Sequence, residues 1–417
     1  MEIKRELYLQ KLIDRMHNGM IKVITGIRRV GKSYLLFSIF KNYLLEQGVS
    51  QGQIIEIELD TFENRKYRDP ETILAYIKSR ITDNRDHYIF LDEVQLLNDF
   101  EDVLNSLLHI RNADVYVTGS NSKFLSKDII TEFRGRGDEV HIYPVSFREY
   151  MEVSPVDKYE SWSSYIHYGG LPLTLSMASD GQKAEYLARL FEETYLKDIV
   201  ERNHITKIQE MNDLINILAS CVGSLTNVSK IEATFRSVLR SDISINTIRA
   251  YIEYLRDAFI INEADRFDVK GRKYIGSPLK YYFEDIGLRN ARLGFRQVEE
   301  NHLMENVIYN ELRLRGYNVD VGIVEKQIKN EERLHQRKQL EVDFIANMGS
   351  KRYYIQSAFA LPDDEKRTQE EASLINIDDS FKKILVVKDV IKPWYDENGI
   401  LTMSIFDFLL KENSLEL

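Results

Sequence analysis

The residues from 26 to 33 have the types and the spacing of a phosphate-binding loop. They read Gly-Ile-Arg-Arg-Val-Gly-Lys-Ser, after an apolar run over 21–25 and before a helical pattern over 34–45. Glycines let backbone N–H groups curl around phosphate oxygens, and a helix N-terminus favours negative charge. In this motif Lys32 reaches the β- and γ-phosphates, and the hydroxyl of Ser33 binds Mg²⁺. The segment therefore predicts a site for a nucleoside triphosphate. The residues predicted to line this site are Gly26, Arg28, Arg29, Val30, Gly31, Lys32, Ser33 and Tyr34.

Two acidic residues, Asp92 and Glu93, follow a second apolar run over 88–92. Beside a phosphate-binding loop, the first carboxylate can hold the shell of a Mg²⁺ ion, and the second can orient and polarise an attacking water. A third apolar run, over 115–118, ends in small polar residues over 119–122, where a side chain could sense the γ-phosphate. A strand-ending turn without chemistry is the alternative for that segment.

The composition bounds the class of protein. The chain has 417 residues, of which 43% are hydrophobic, so that we expect two to four folded domains and no dominant disorder. The single cysteine, Cys221, excludes a disulfide framework and a Cys-rich zinc site. A net charge of −10 excludes a globally basic nucleic-acid-binding protein. The charged N-terminus and the absence of a long apolar run predict a cytoplasmic protein without a membrane anchor.

The first 150 residues alternate β-type runs with helical stretches, which predicts a doubly wound α/β domain with a parallel sheet. The predicted strands are 21–25, 54–59, 88–92, 115–118 and 140–143. Residues 150–215 have mostly helical patterns, and two short helices and a hairpin follow before residue 281. A helix over 302–315 and three β-type runs predict a small C-terminal α/β domain.

Several motifs together resemble an AAA-type P-loop ATPase family near the archaeal ATPase clade. In the first part of the chain they are TGIRRVGKS (25–33), FLDEVQ (90–95), VTGSNSKFLS (117–126), FRGRGDEV (133–140) and YPVSFREY (143–150). In the rest of the chain they are YGGLP (168–172), YLKDIVERN (195–203), YYFEDIGLRN (281–290), ENVIYNEL (305–312), EVDFIA (341–346) and YIQSA (354–358). The resemblance spans nearly the whole chain.

The resemblance implies roles for individual residues. Asp92 is expected to bind the metal shell and Glu93 to act as the catalytic base, with Lys32 on the phosphates. Asn121 resembles the polar sensor, with Ser120 and Ser122 as rivals. Arg136, or else Arg134, resembles an arginine finger that acts across a subunit interface, which implies a homo-oligomer or a nucleotide-dependent assembly. The segment 168–172 resembles a lid motif that approaches the nucleotide, and a plain loop between helices is the alternative.

The region 227–281 is predicted to form a winged helix that contacts DNA. Ser244 can cap a helix whose exposed positions include Asn246, Thr247 and Arg249. The hairpin after this helix carries the basic residues Arg266, Lys270, Arg272 and Lys273. A helix and a basic wing can sit on a DNA groove and its backbone. Winged helices also bind proteins, so a protein partner is the alternative.

The C-terminal region resembles a restriction-endonuclease-like fold. Strand alternation places Glu341 and Asp343 on one face, and Gln356 and Ala358 together on the next strand, and Glu305 can come from the preceding helix. The lysine that such a nuclease uses to activate water is replaced by Ala358, with Lys351 as the nearest substitute. We therefore expect a degenerate domain that does not cleave DNA.

The sequence thus predicts an α/β protein with an AAA-type core (1–150), a helical lid (151–212), a winged-helix-like domain (213–295) and a nuclease-like domain (296–417). The predicted function is Mg²⁺-dependent ATP hydrolysis coupled to DNA binding. The alternatives are a nucleotide-gated switch or scaffold for a protein partner and, third, an ATP-dependent nuclease.

Overall fold

The computed structural model describes residues 3–119, 136–329, 335–390 and 392–417. The chain divides into two compact units. The first comprises Met1–Val145, Leu171–Ser176 and Leu255–Ile260, and the second comprises Ser146–Gly170, Met177–Tyr254 and Ile261–Leu417. Among the described residues, no helix is long and apolar enough to cross a membrane.

The first unit contains five described strands and four described helices. The strands are β1 (Ile21–Thr25), β2 (Ile54–Glu58), β3 (His87–Asp92), β4 (Ala113–Thr118) and β5 (Gly137–His141). The helices are α1 (Glu6–Ile13), α2 (32–46, with a π-helical middle over Leu35–Phe40), α3 (Pro70–Arg80) and α4 (Phe100–Leu108). These elements confirm the predicted α/β alternation.

The five strands form one parallel sheet in the order β2-β3-β4-β1-β5. Strands β1 and β3 are buried along their whole length, as expected for strands that helices cover on both faces. One apolar core joins β1–β4 to α3 and α4. The last strand begins earlier than predicted, at Gly137 rather than Val140, because Ile21–Thr25 pairs with it over its whole length.

The strand register brings four strand ends to one edge of this sheet. Ile24 at the end of β1 lies beside Thr118 of β4, and Glu58 of β2 lies beside Asp92 of β3. Gly119, which follows β4, donates its N–H to the carbonyl of Ile24 at 3.1 Å. Ligands of open α/β sheets bind at this carboxyl edge. The first unit therefore positions its site where the loop after β1 begins.

The second unit combines helices with one large sheet. Its helices are α5 (Phe147–Val153), α6 (Lys158–Tyr168), α7 (180–202), α8 (Ile208–Ser220), α9 (228–239), α10 (Ile245–Asp257), α11 (Ile286–Arg292), α12 (Glu300–Leu314), α13 (Asp364–Ile375) and α14 (Ile405–Leu410). Its strands are β6 (Ile261–Asp268), β7 (Lys273–Phe283), β8 (Asn318–Lys329), β9 (His335–Met348), β10 (Lys351–Ala358), β11 (Lys382–Val387), β12 (Trp394–Tyr395) and β13 (Ile400–Ser404).

The hairpin β6–β7, predicted as the wing of a winged helix, is part of this sheet. The strand order is β12-β13-β11-β10-β9-β8-β6-β7, so that β7 is an edge strand. Strand β6 pairs in parallel with β8 through Arg266, Phe267 and Asp268. One continuous sheet therefore contains strands from both sides of the domain boundary that the sequence predicts between residues 295 and 296.

The glycines of the YGGLP motif are explained by close packing inside the second unit. Gly169 has φ 70°, and a Cβ there would lie 2.5 Å from both carboxylate oxygens of Asp285. Gly170 and Leu288 donate their N–H groups to this carboxylate at 2.8 and 2.9 Å. Burial raises the pKa of Asp285 to about 6, against the opposing effect of these hydrogen bonds. Asp285 thus caps α11 and holds the backbone of the motif.

Candidate nucleotide-binding site

The loop between β1 and α2 has the backbone conformation of a phosphate cradle. Gly26 and Gly31 adopt φ values of 133° and 100°, which other residues adopt only with strain. A Cβ at Gly26 would lie 2.3 Å from the carbonyl oxygen of Ile142, so that only glycine fits. Gly31 immediately precedes helix α2, whose first N–H groups have no partners within the helix. The loop is therefore suited to bind an anion.

Lys32 is the basic side chain of this loop. It is buried, and its Nζ donates to the carbonyl oxygens of Gly26 and Ile27 at 2.9 and 3.0 Å. The ammonium therefore lies inside the curve of the loop, over the same backbone that would surround a phosphate. The Nζ group can bind phosphate oxygens by exchanging its two carbonyl partners for them.

Asp92 lies at the end of β3 and is joined to the loop through Ser33. The carboxylate is 4% exposed, and the Ser33 hydroxyl donates to its two oxygens at 2.8 and 3.0 Å. The Thr118 hydroxyl also donates to Asp92. Burial raises the pKa of Asp92, and the hydrogen bonds from Thr118 and Ser33 oppose this rise. The structure thus brings Ser33 and Asp92 together, as the sequence predicted for a metal site.

Glu93 is positioned by its backbone and by Gln95. It adopts a left-handed conformation with φ 50°, and its N–H donates to the Thr118 hydroxyl oxygen at 3.0 Å. The side-chain amide of Gln95 donates to Glu93 Oε2. Within the described residues, Oε1 of Gln95 is buried without a hydrogen-bond partner. Sequence reasoning missed Thr118 and Gln95 as site residues; Gln95 stands in the quoted FLDEVQ motif, and Thr118 ends the third apolar run.

Two further acids accompany Asp92. In the described part of the chain, Glu58, Asp60 and Asp92 form the one group of three acids whose ligand oxygens all lie within 4.8 Å of one another. Burial and the neighbouring Asp92 raise the pKa of Glu58. The sequence analysis missed Glu58 and Asp60, because only the pairing of β2 with β3 brings them to Asp92.

The remaining loop residues differ in burial, and Pro172 lies near the loop at Gly31. Val30 is buried, Arg28 is half-buried, and Arg29 and Tyr34 are exposed. Arg29 has φ 63°. Pro172 belongs to the motif predicted to approach the nucleotide, and its Cγ would lie 3.9 Å from a Cβ placed on Gly31.

The predicted sensor and one of the two predicted fingers lie outside the described residues. These are Asn121, its rivals Ser120 and Ser122, and Arg134. Arg136 is described and exposed, and its carbonyl oxygen accepts the N–H of Ile21 at 2.9 Å. The backbone of Arg136 is therefore fixed to the start of β1, which leaves its side chain at the surface.

The basic residues predicted to contact DNA divide into two groups. Arg266 is only 8% exposed, and its Nε is buried without a hydrogen-bond partner among the described residues. It therefore does not belong to an exposed basic wing. Arg249 on α10 and the hairpin residues Lys270, Arg272 and Lys273 are exposed. Ser244 accepts the N–H of Thr247 at 3.1 Å, as expected for the cap of α10.

The acids of the nuclease-like region converge on a lysine that the sequence analysis did not single out. Glu341 and Asp343 lie on one face of β9, as predicted, and both contact Nζ of Lys280, as does Glu305. Lys351, the substitute considered for Ala358, instead pairs with Glu416. Ala358 is buried in the apolar core.

Comparison with known families defines the class of this protein. A family model described as an AAA domain matches residues 18–151, and a model described as a domain of unknown function (DUF8612) matches residues 159–299. The AAA match covers the loop, Asp92, Glu93 and Thr118. The first unit therefore carries an AAA-type P-loop domain, a nucleotide-binding module of the ATPase type.

Similarity to whole proteins then gives the family. An uncharacterized protein of Haemophilus influenzae is 33% identical over 418 residues, which cover 98% of this chain and 99% of that protein. The chain belongs to the same family as this protein. The uncharacterized protein MJ1544 of Methanocaldococcus jannaschii is 29% identical over 369 residues, which cover 84% of this chain and 77% of that protein.

Among solved structures, the Aeropyrum pernix Orc1 protein in complex with DNA aligns with 70% of this chain and 92% of its own chain. The identity is 13% and the TM-score is 0.30.

Proposed function

We propose that this protein is a Mg²⁺-dependent ATPase whose site is formed by the loop 26–33 and by Asp92 and Glu93. The observation that carries the proposal is the convergence of three groups in one place. The ammonium of Lys32 lies inside the glycine loop, and the Ser33 hydroxyl is bonded to the buried carboxylate of Asp92. This combination is what binding of a triphosphate with its metal ion requires.

The residues present fit a magnesium ion. The ion prefers hard oxygen ligands and keeps several waters, so that it needs few protein ligands. Ser33 and Asp92 supply a hydroxyl and a carboxylate, and Glu58 and Asp60 add negative charge within reach. When bound, Mg²⁺ would neutralise phosphate charge that develops during hydrolysis.

The residues of the site then have different roles in the reaction. Lys32 binds phosphate oxygens in place of the carbonyls of Gly26 and Ile27. Glu93, beside the metal-binding Asp92, orients the attacking water and accepts its proton. Gln95 and the Thr118 hydroxyl hold Glu93 in position by bonding its carboxylate and its N–H.

The test measures ATP binding and ATP turnover in two variants and their controls. Glu93→Gln should keep ATP binding and lose turnover by roughly 10²- to 10⁴-fold, the usual contribution of a general base. Lys32→Ala should lose both binding and turnover. The matched controls Glu71→Gln and Lys78→Ala change exposed residues of α3 and should leave both unchanged. Wild-type turnover in Lys32→Ala or Glu93→Gln would overturn the assignment.

We propose further that Arg136 acts as an arginine finger on the site of a neighbouring subunit, with Arg134 as the alternative. The proposal rests on the resemblance and on the exposed position of Arg136 before β5. Such a guanidinium raises kcat by roughly 10³- to 10⁵-fold. Mixing Arg136→Ala chains with Lys32→Ala chains should restore part of the turnover; a mixture that assembles but stays inactive would contradict the trans arrangement.

We propose that ATP hydrolysis is coupled to DNA binding by the second unit. The exposed basic residues Arg249, Lys270, Arg272 and Lys273 support this proposal, because phosphate contacts from such residues dominate DNA affinity. Duplex DNA should stimulate turnover at low salt, and Arg272→Ala with Lys273→Ala should remove the stimulation. A rate of ATP turnover that DNA does not change would favour the second candidate, a nucleotide-gated switch that binds a protein partner.

A further inference from the structure

The cluster around Lys280 in the second unit is a centre of buried charge that lies outside the nucleotide site. Lys280 lies on strand β7 and is 2% exposed. Its Nζ lies 2.8 Å from Glu305 Oε1, 2.7 Å from Glu341 Oε1 and 3.2 Å from Asp343 Oδ1. These acids come from helix α12 and strand β9, so that one ammonium joins three elements of the unit.

Other groups around the cluster are also arranged to hold these acids in place. The Tyr282 hydroxyl donates to Glu305 Oε1 at 2.7 Å. The N–H of Ser357 on β10 donates to Asp343 Oδ2 at 2.9 Å, and the N–H of Asp343 donates to Gln356 Oε1 at 3.3 Å. A Cβ at Gly223 would lie 2.9 Å from Glu305 Oε2, so that the backbone of Gly223 packs against this carboxylate.

The charges of this cluster require a cation. Glu305 and Asp343 are buried and Glu341 is half-buried, and three carboxylates this close together are stable in their ionised form only with a positive partner. Burial raises the pKa of Glu305 to about 7, and Lys280 and Tyr282 oppose this rise. Burial lowers the pKa of Lys280, but Glu305, Asp343 and Glu341 reverse this effect and hold it well above its usual range. Lys280 is therefore charged at neutral pH and supplies that partner.

The spacing of the carboxylates fits an ammonium better than a metal ion. Oxygens that bind Mg²⁺ lie about 2.1 Å from the ion, and therefore no more than about 4.2 Å from one another. In the part of the chain that the structure describes, ligand oxygens of Glu58, Asp60 and Asp92 all lie within 4.8 Å of one another, whereas those of the acids around Lys280 do not. Nζ–oxygen distances of 2.7–3.2 Å are those of charged hydrogen bonds.

We propose that Glu305, Glu341 and Asp343 form a cation-binding centre in which the ammonium of Lys280 permanently takes the place of a divalent metal ion. The lysine is supplied by β7, and not by the position two residues after Gln356, which Ala358 occupies. The centre thus holds α12, β7 and β9 together and excludes Mg²⁺ and Mn²⁺. This inference is independent of the proposed ATPase function, because it concerns other residues in the second unit.

The test counts Mn²⁺ ions bound per chain in nucleotide-free, full-length protein. Lys280→Met removes the ammonium that spaces the three carboxylates, so that they can move together around a smaller ion, and the variant should bind one Mn²⁺ more than the wild type. Lys280→Met with Asp343→Asn should lose that additional ion. Lys273→Met, an exposed lysine at the start of the same strand, is the matched control and should bind no additional ion.

Thermal unfolding gives a second measurement. Lys280→Met should unfold at a lower temperature than the wild type, and Mn²⁺ should reverse most of this shift, because a ligand of the folded state stabilises it. If Lys280→Met does not fold, Lys280→Gln removes the same charge with a polar side chain. A wild-type Mn²⁺ ion that Asp343→Asn removes would overturn the proposal, and so would folded Lys280→Met or Lys280→Gln protein without an additional ion.

Discussion

Thr118 joins the two acidic residues of the nucleotide site, and Thr118→Val tests that role. Its hydroxyl donates to Asp92 and accepts the N–H of Glu93 at 3.0 Å. Valine has nearly the same shape but can neither donate nor accept. The substitution therefore removes one of the two hydroxyl donors that stabilise the ionised carboxylate of Asp92.

The expected effect can be calculated from these bonds. A hydrogen bond to a charged group is worth about 1.5–3 kcal/mol, and this is the stabilisation of the ionised carboxylate that Thr118→Val removes. Burial already raises the pKa of Asp92, and the Thr118 hydroxyl opposes that rise, so that Thr118→Val raises this pKa further. Because a protonated Asp92 cannot hold a metal ion, the acid limb of turnover should move to higher pH.

The assay is kcat for ATP turnover between about pH 5 and about pH 9, where the limbs of the profile report ionisations in the enzyme–substrate complex. Thr402→Val is the matched control, since Thr402 is a buried strand residue of the second unit whose hydroxyl accepts from Arg367. Its profile should coincide with that of the wild type. A folded Thr118→Val protein with an unmoved acid limb would refute the role given to the hydroxyl.

Two further substitutions have expected outcomes of their own. Gln95→Glu replaces the amide donor with a second carboxylate against Glu93, and the repulsion between the two should displace Glu93 and lower turnover more than Gln95→Leu, which only removes the donor. Equal turnover of the wild type and Gln95→Glu would contradict the contact. Gly169→Ala should lower the free energy of unfolding of the second unit, measured in urea, by at least about 1–3 kcal/mol, because Gly169 has a left-handed backbone and a Cβ there would meet Asp285. Gly181→Ala is the control, since a Cβ at Gly181 meets nothing within 4 Å, and it should not lower this free energy. Equal stability of the two variants would refute the packing argument.

The parts of the candidate site that could be predicted from the sequence lie within short segments. The loop 26–33 carries its glycines, lysine and serine in eight consecutive positions, and its conformation follows from that local pattern. Asp92 could be placed because an apolar strand ends there and a parallel sheet brings strand ends to one edge. The order of strands and helices in the first unit could be predicted as well, because each element has its own periodicity within a short segment.

The parts that the sequence did not predict depend on pairing between distant segments. Glu58 reaches Asp92 only through the register of β2 on β3, which no local pattern specifies. Lys280 is separated from Glu305 by 25 residues and from Asp343 by 63. It also lies in the region 227–281 that is predicted to form a winged helix, so that its membership in the C-terminal sheet could not be anticipated. Strand alternation did place Glu341 and Asp343 on one face, but it could not supply their partner.

The position of Lys280 on β7 connects the acidic centre with the proposed DNA-binding face. The same strand begins at Lys273, and the exposed basic residues Lys270 and Arg272 immediately precede it. Strand β7 is the edge strand of the sheet; it pairs with β6 along its length and forms one further antiparallel bridge, between Leu279 and Thr226. The ion pairs of Lys280 then fix the inner end of β7 to α12 and β9, where loss of one buried charged partner costs about 3–5 kcal/mol. An ammonium at this position fixes the β6–β7 hairpin at any concentration of metal ions. If a metal ion held this position instead, the placement of the basic residues at the tip of the hairpin would depend on the metal concentration.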